Sequence, residues 1–478
     1  MKKVFSLFTL AIALLACNKN EMNLRPVNPV DRDGNVVITA TLSPKSNGVK
    51  AVSDGGDKII ASWATSEHLA ILYEVGGVKK MADAEIIDVD AEGKATINFS
   101  VDGSTPDDTP CSIIYPLSAC KDDYSGVKEA AELIGNQDGT LNAGLDVRVG
   151  AGSIQVSTPD LEVTAQPAAQ FAIFKFTIRS GNSTTPVNAK PLVINVDGQD
   201  FTVTPAAATD VLYVALPAVS GKKVSFEATD DASNNFTCSK ASVTFAAGKY
   251  YQTTLKMRQY VLMGDGLKWA VCNIGAELPH EIGDYYSWGS VTTQTVYNWP
   301  HYRFVPSGST NYYRMFKYTI PDNDTDCAWY QNGVFVGDNG DGVPHKDLAS
   351  YDYEDDTARQ IWGSSWRMPT YAEWKVLLNS SKFNWERTTD YNGTGVTGFV
   401  VTSKVSGYQG NSIFFPSSGY WFNTSKSKVN VEGSYWSGTL DDTALAFYLY
   451  IGPESGTSGH TWAVSIRSTG RTVRAVME

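Results

Sequence analysis

Short runs of β-branched and aromatic residues alternate with clusters of Gly, Pro, Asn and Asp through the first half of the chain. Runs of this length, separated by turn residues and by no convincing long helical pattern, are typical of antiparallel β-sandwiches. We therefore predict a mainly β region with two sandwich lobes, which split near residues 155–165. The predicted strands are 36–42, 58–63, 68–75, 96–101, 111–117, 171–178, 191–196, 211–216, 224–228 and 250–257.

Tryptophan marks a second boundary. Of the twelve tryptophans, only Trp63 precedes residue 259, and the other eleven lie in the last 220 residues. Such a change in composition indicates a separate fold over residues 259–478. The junction at residues 258–265 is short and is not rich in Gly or Ser, so we expect limited freedom between the two parts.

The C-terminal part contains the clearest helix signals. Thr370 and Glu373 have the spacing of a capping box, and acidic residues around Asp356 suit the positive end of a second short helix. In residues 444–451, the side chains on both faces of the predicted strand are apolar or aromatic, so we predict that this strand is central. A final hairpin is predicted from strands 462–467 and 471–476, with Gly470 in the turn.

The N-terminus has the pattern of an export signal. Lys2 and Lys3 precede an apolar run over residues 4–16 that is too short to span a bilayer. The run ends at Leu14-Leu15-Ala16-Cys17, which resembles the lipobox of bacterial lipoproteins. That resemblance implies a signal peptide over residues 1–16, lipidation at Cys17, a tether over residues 17–31 and attachment to the outer membrane, at the cell surface of a Gram-negative bacterium. The alternative is a plain signal peptide that is cleaved nearby.

Composition excludes several function classes. The net charge of -12 repels a phosphate backbone, so nucleic acid is not an expected partner. None of the six cysteines forms a CxxC pair, and the catalytic motifs GxSxG, HExxH and GxxxxGK[ST] are missing from the sequence. We expect no enzyme and no cofactor. Whether Cys111, Cys120, Cys272 and Cys327 are buried thiols or form disulfides stays open.

Several segments of the first half resemble fimbrillin-like (Mfa-like) proteins. The similar segments are Ile60-Ala61-Ser62-Trp63, residues 68–73, residues 171–178 and residues 245–251. Proteins of that group are lipoproteins with two β-sandwich lobes, and many are pilus subunits or tips. The resemblance covers about residues 32–258 and implies other fimbrillin-like subunits as partners.

The second half is similar to the FISUMP (major paralogous) domain in the order and spacing of its motifs. The motifs are GLKWAVCNIGA at 266–276, GDYYSWG at 283–289, WGSSWRMPT at 362–370, YWSG at 435–438 and VRAV at 473–476. This resemblance implies an α+β C-type-lectin-like fold over residues 259–478. Ala475 replaces the usual proline of the last motif. We interpret the motif tryptophans as core residues, since large rings fill the interior of a loop-rich domain.

A C-type-lectin-like fold raises the question of calcium. Asp322, Asp324 and Asp326 recur at every second position, as in the first half of an EF-hand loop. The sixth and twelfth positions of that loop are Cys327 and Gly333, where Gly and Glu are required. Solvated acidic turns are the preferred interpretation, with calcium-dependent sugar recognition as the alternative.

These patterns favour a lipid-anchored surface adhesin or pilus-tip protein, whose β-sandwich stalk presents a lectin-like head to a glycan or a host protein. The contact residues are expected in the loops at 421–433 and 452–470, because function commonly lies in loops on a rigid scaffold. Aromatic and Arg side chains dominate interface hot spots, which favours Trp421, His460, Trp462 and Arg467, although Trp462 also fits a core position. The alternatives are a standalone glycan or host-protein binder and a retroelement-diversified lectin-fold receptor.

Overall fold

The computed structural model describes residues 30–45, 53–54, 59–311, 314–321, 327–453 and 459–478. The predicted signal peptide, Cys17 and the aspartates at 322, 324 and 326 lie outside the described residues.

The first part of the chain forms one curved antiparallel sheet with the strand order β1-β6-β5-β4-β7-β9-β10. Its strands bury every second side chain, as Val36, Ile38, Ala40 and Leu42 do in β1, so that one face covers a core. The strands up to residue 169 are β1 (Val36–Leu42), β2 (Ser53–Asp54), β3 (Ile59–Ile60), β4 (His68–Val75), β5 (Val78–Val89), β6 (Ala95–Val101), β7 (Thr109–Tyr115), β8 (Asn136–Gln137), β9 (Arg148–Gln155) and β10 (Asp160–Ala169), with helix α1 at Ala130–Ile134.

A second sheet follows, with the order β14-β11-β17-β16-β15-β12-β13-β8. Its additional strands are β11 (Phe171–Ser180), β12 (Ala189–Val196), β13 (Gln199–Val203), β14 (Val211–Pro217), β15 (Val219–Asp230), β16 (Asn235–Phe245) and β17 (Tyr250–Leu262). The chain changes sheets at Gln170, after the interval at 155–165 that the sequence predicted. That interval contains the β9–β10 turn. Its Pro and Ser residues are typical of a linker, but in the structure they connect two strands that pair with each other.

The C-terminal part is joined to the second sheet by hydrogen bonds. Strand β17 runs across the predicted boundary at 258/259 and pairs with β18 (Lys268–Asn273), which pairs with the last strand, β29 (Arg474–Met477). Between these two strands lie β19 (Tyr330–Gln331), β20 (Val334–Phe335), β21 (Phe383–Thr388), β22 (Gly398–Ser403), β23 (Ser412–Pro416), β24 (Tyr420–Phe422), β25 (Ser425–Ser427), β26 (Gly433–Leu440), β27 (Leu445–Ile451) and β28 (His460–Ile466). The helices are α2 (Leu348–Tyr351), α3 (Thr357–Trp362) and α4 (Tyr371–Leu377).

Two local predictions for this part are confirmed. The Thr370 hydroxyl accepts from the backbone N–H of Glu373, and the Glu373 carboxylate accepts from the backbone N–H of Thr370, so the capping box opens α4. Strand β27 lies between β26 and β28 and is therefore central. The prediction of a mainly β protein with antiparallel sheets is also confirmed.

The predicted final hairpin is wrong. Strand β28 pairs with β27, whereas β29 pairs with β18 at the other end of the region. Gly470 makes no positive-φ turn between them; it forms a backbone bridge with Trp421. A Cβ on Gly470 would lie 2.8 Å from the Tyr297 ring. Glycine is needed here because an aromatic ring packs directly against the backbone.

The motif tryptophans form the C-terminal core, as predicted. Trp269, Trp288, Trp366 and Trp436 are all buried. Three indoles also donate hydrogen bonds at 2.7–2.9 Å: Trp269 to Asp265, Trp288 to the Ser437 carbonyl and Trp436 to the Tyr286 carbonyl. Burial of the rings combined with satisfaction of their N–H groups accounts for the structural role of these motifs.

Candidate binding surface

The structure separates the four residues that the sequence proposed for ligand contact. Arg467 is fully buried, and its guanidinium donates to the Tyr302 hydroxyl and to the carbonyls of Lys317, Tyr318 and Thr443. The Arg467 guanidinium also lies 4.7 Å from the centre of the Trp288 ring. The prediction of Arg467 as a surface contact is wrong, because this side chain is buried and its guanidinium donates to interior carbonyls.

Trp421 is half-buried and serves to hold the β24–β25 hairpin. Its backbone exchanges two 2.8 Å hydrogen bonds with Gly470, and its ring packs against Tyr285 and Tyr297 at centroid distances of 5.8 and 5.4 Å. Trp421 makes no ring contact with Trp462 or His460 among the described residues. Its position is therefore apart from the other two candidates.

His460 and Trp462 share one face of β28. They lie two residues apart on the strand, opposite Ile451 and Leu449 of β27. The His460 ring stacks on Trp385 at a centroid distance of 4.8 Å. Burial lowers the pKa of His460, so its ring is neutral at physiological pH. Its Nδ1 atom has no hydrogen-bond partner among the residues that the structure describes.

Trp462 lies in a cluster of aromatic rings that is open to solvent. The Tyr371 ring stacks on Phe447 at 3.9 Å, and Trp462 meets both rings edge-on at 5.3 and 5.7 Å. Trp462 is 45% exposed, although it is part of this packed cluster. We call this region the edge surface. It consists of Tyr371, Lys375, Val376, Phe447, Trp462 and Val464.

Local sequence explains how the edge surface forms. The capping box at Thr370 begins α4, which places Tyr371 in its first turn, and the Tyr371 N–H donates to the Thr439 hydroxyl at 3.2 Å. Phe447 lies opposite Val464 in the β27–β28 register, on the face that α4 covers in part. The three rings are thus held by a helix and two strands before any ligand arrives.

The electrostatics of the edge surface are mixed. The Lys375 ammonium lies 4.6 Å from the centre of the Tyr371 ring. Burial raises the pKa of the Tyr371 hydroxyl, and the nearby Asp441 carboxylate raises it further, so the phenol stays protonated and able to donate a hydrogen bond. One cation, one phenol and exposed rings give this surface both apolar and polar contacts.

The edge of the sheet is also open here. Strand β28 pairs with β27 on one side, and within the described residues no strand pairs with its other side. Val464, opposite Phe447 in the β27–β28 register, is 37% exposed, and Val376 on α4 is 38% exposed. An unpaired strand with exposed apolar side chains presents both main-chain and side-chain groups to a partner.

Similarity to known proteins is confined to structure. No protein-family profile matches the chain, and no curated protein matches it in sequence. Two similar solved structures are a fimbrial protein from Bacteroides ovatus and a fimbrial assembly protein from Parabacteroides distasonis. The first is 12% identical, covers 93% of this chain and 99% of its own, and has a TM-score of 0.23. The second is 11% identical, covers 47% and 94%, and has a TM-score of 0.29. Because both TM-scores lie below 0.5, neither similarity assigns a function to this chain.

Burial raises the thiol pKa of Cys111, Cys120 and Cys272. Cys111, Cys120 and Cys272 are free thiols. Burial raises the pKa of Cys272 to about 11 and that of Cys111 to about 12, so neither is a thiolate at neutral pH. Elsewhere in the part of the chain that the structure describes, no three His, Cys, Asp or Glu side chains converge as a metal site. No described helix has the length and apolar character to cross a membrane.

Sequence reasoning missed Tyr371, Phe447 and Val464. Phe447 and Val464 lie in segments that the sequence predicts as strands, and the strand that contains Phe447 is predicted to be central. One signal was available in the sequence. Both faces of the strand at residues 444–451 carry apolar or aromatic side chains, so wherever no other element packs on one of these faces, aromatic side chains are left at the surface. Which part stays uncovered depends on where α4 packs.

Proposed function

We propose that this protein is a surface adhesin that binds an extended polypeptide segment of a partner protein along the open edge of β28. The observation that carries this proposal is the edge surface, a cluster of three packed aromatic rings with Trp462 45% exposed beside an unpaired strand. A partner strand added to β28 gains main-chain hydrogen bonds, and its side chains meet those of Trp462 and Val464. Aromatic residues in packed, partly desolvated positions supply most interface hot spots.

Preorganisation supports binding at this surface. The rings of Tyr371, Phe447 and Trp462 already contact one another, so little side-chain entropy is lost when a partner arrives. Since burial raises the pKa of the Cys111, Cys238 and Cys272 thiols, these three groups are unactivated, and we propose binding and no enzymatic reaction.

The surface location is proposed from the sequence. The segment Leu14 to Cys17 supports cleavage of a signal peptide and lipidation at Cys17, which places the chain on the outer membrane and at the cell surface. The motifs of residues 259–478 support a lectin-like recognition domain, and those of residues 32–258 support a fimbrillin-like stalk that associates with related subunits. In this arrangement the sheet shared by β17, β18 and β29 carries the recognition region on the stalk.

Trp462→Ala tests the proposal. We expect at least a tenfold loss of affinity, because truncation of a central aromatic hot spot costs about 2 kcal/mol or more. The melting temperature should fall by only about 4–8 °C, since the ring is half-exposed and loses two edge contacts worth roughly 1 kcal/mol each. The full chain on beads is screened against fibronectin, laminin, fibrinogen, collagen and a glycan array, and the affinity is then measured for each protein that binds.

Phe422→Ala is the matched control. Phe422 is 43% exposed but lies in the β24–β25 hairpin, away from the edge surface, so its removal should leave affinity unchanged.

Val464→Lys should also abolish binding, because a charged edge residue blocks strand addition, whereas Val431→Lys at a 41% exposed loop position should not. Binding to glycans alone, or equal loss in Phe422→Ala, contradicts the proposal.

A further inference from the structure

A cleft lies inside the second sheet, between two strands that are joined at both ends. Strands β16 and β17 pair only where Asn235–Thr237 meet Arg258–Tyr260, and the turn at 246–249 connects their other ends. Between these points the strands separate beside a cavity of about 720 Å³, which Ile361, Trp362 and Trp366 of the C-terminal part also line. Ligand pockets in proteins commonly measure about 300–1,000 Å³, so the cleft has the volume of a small-molecule site.

The floor of the cleft is aromatic. Phe174 stacks on Phe176 and Tyr251 at 5.1 and 5.0 Å, and it meets the edge of Phe245 at 4.9 Å. Phe226 extends this floor through its contact with Phe176 at 5.4 Å. Five linked rings give a continuous apolar surface that lies at the core of the second lobe and faces the cleft.

The cleft is open to water. Thr253 is in register with Phe176 and lies on the same face of the sheet, yet it is exposed. Lys240 is in register with Val224 and is likewise exposed on the face that is otherwise interior. These side chains reach solvent because no strand fills the space between β16 and β17. Deeper in the wall, burial raises the pKa of the Cys238 thiol to about 12, which marks an apolar environment there.

The charge around the cleft is of one sign. Lys240, Lys256 and Arg258 line it, and no Asp or Glu in the described part of the chain does, although the chain as a whole carries a net charge of -12. Arg258 is paired with Glu277 at 3.3 Å. Lys240 and Lys256 have no ion-pair partner within the described residues. An apolar floor with two unpaired ammonium groups at its rim suits a ligand with an apolar body and a negative end.

We propose that this cleft binds a single-chain anionic amphiphile, namely a long-chain carboxylate, with its alkyl chain on the aromatic floor and its carboxylate at Lys240. The closed ends of the cleft favour this ligand over a polypeptide strand. An extended peptide would have to continue past the 246–249 turn or past the Thr237–Arg258 pairing, whereas an alkyl chain ends inside the cleft. This site is separate from the edge surface and does not depend on its function.

The test is a fluorescence titration of the full chain with cis-parinaric acid, followed by displacement with palmitate. We expect saturable binding with one site per chain. Lys240→Glu should weaken binding at least tenfold, because it places a negative charge beside the ligand carboxylate. Lys223→Glu is the matched control: Lys223 is exposed on the opposite face of the adjacent strand, and its replacement should change affinity less than twofold.

Two variants fill the cleft from opposite walls. Thr253→Trp and Cys238→Phe should each abolish saturable binding, and their melting temperatures show whether the fold is retained. Trp462→Ala should bind cis-parinaric acid as the natural chain does. The proposal is overturned by unchanged affinity in Lys240→Glu, by binding in both filled variants, by cetyltrimethylammonium competing as well as palmitate, or by binding to phosphatidylglycerol vesicles but to no monomeric carboxylate.

Discussion

Arg467→Ala is expected to destabilise the C-terminal region by about 3–5 kcal/mol and to lower its melting temperature by roughly 10 °C. The guanidinium of Arg467 donates to one hydroxyl and three carbonyls, all in the interior. Alanine leaves these acceptors without donors and leaves a cavity beside Trp288, and both effects add to the cost.

Thermal unfolding of the full chain, followed by near-UV circular dichroism of the tryptophan-rich region, measures this effect. Arg387→Ala is the matched control, because Arg387 is exposed on β21 and its removal should change stability by less than about 0.5 kcal/mol. Arg467→Lys keeps the charge but has no planar fork, so it should retain only part of the stability. If Arg467→Ala melts at the same temperature as the natural chain but loses adhesion, the interior role of Arg467 is contradicted and the sequence-based prediction of a surface contact is supported.

The second large effect is a contribution of Lys45 to the stability of the first sheet that rises between pH 8 and pH 9.5, measured as the difference between the natural chain and Lys45→Met. The Lys45 ammonium is buried, lies 2.8 Å from an Asp146 carboxylate oxygen and faces the rings of Trp63 and Tyr115 at 4.1 and 3.8 Å. Burial lowers the pKa of Lys45 to about 8, although Asp146 opposes that shift.

The sign of the pH dependence follows from proton binding. An unfolded lysine has a pKa of about 10.4, so between pH 8 and that value the unfolded chain holds a proton that the folded chain has released. The contribution of Lys45 to the free energy of unfolding therefore increases with pH in this window, by up to about 3 kcal/mol. The Cys111 thiol of the same sheet, whose pKa burial raises to about 12, contributes with the opposite sign above its unfolded pKa of about 8.5, so the effect of Lys45 is measured as a difference between variants. Below pH 8 the lysine is charged in both states, and the full cost of burying the charge remains.

Urea unfolding at each pH checks this prediction. A brief hydrogen-exchange pulse, followed in peptides from β4, measures the fraction of the first sheet that is unfolded. The stability of the natural chain relative to Lys45→Met should rise between pH 8 and pH 9.5, because Lys45→Met removes the titrating ammonium while Asp146 keeps its 2.9 Å ion pair with Arg148. Lys79→Met, at an exposed position on β5, should leave the dependence intact. A stability of the natural chain relative to Lys45→Met that stays constant or falls between pH 8 and pH 9.5 would contradict the lowered pKa of Lys45.

Local patterns account for the correct predictions. The strand at Val36–Leu42 matches its predicted bounds because its alternating side chains and flanking turn residues are local signals. The capping box at Thr370 and Glu373 spans four residues, so it too is a local signal. The predicted hairpin is wrong because Gly470 is required for close packing against the Tyr297 ring and not for a turn. Tyr297 is remote in sequence, so no local pattern indicates this contact.

The candidate sites show the same division. Trp462 and Arg467 lie five residues apart and are equally plausible in sequence, yet one is half-exposed and the other fully buried. Tyr302 and Lys317, more than 140 residues upstream, supply part of the cage around Arg467. The position of α4 over β27 decides which rings form the edge surface.

By itself, the sequence determined the mainly β character, the strand-rich first half, the start of α4 and the buried tryptophans of the second half. Each of these follows from periodicity or capping within a few residues. Only the tertiary structure decided which arginine is interior, which sheet edge stays unpaired and where β16 and β17 separate. Those features depend on contacts between segments far apart in the chain, and no local pattern of side chains records them.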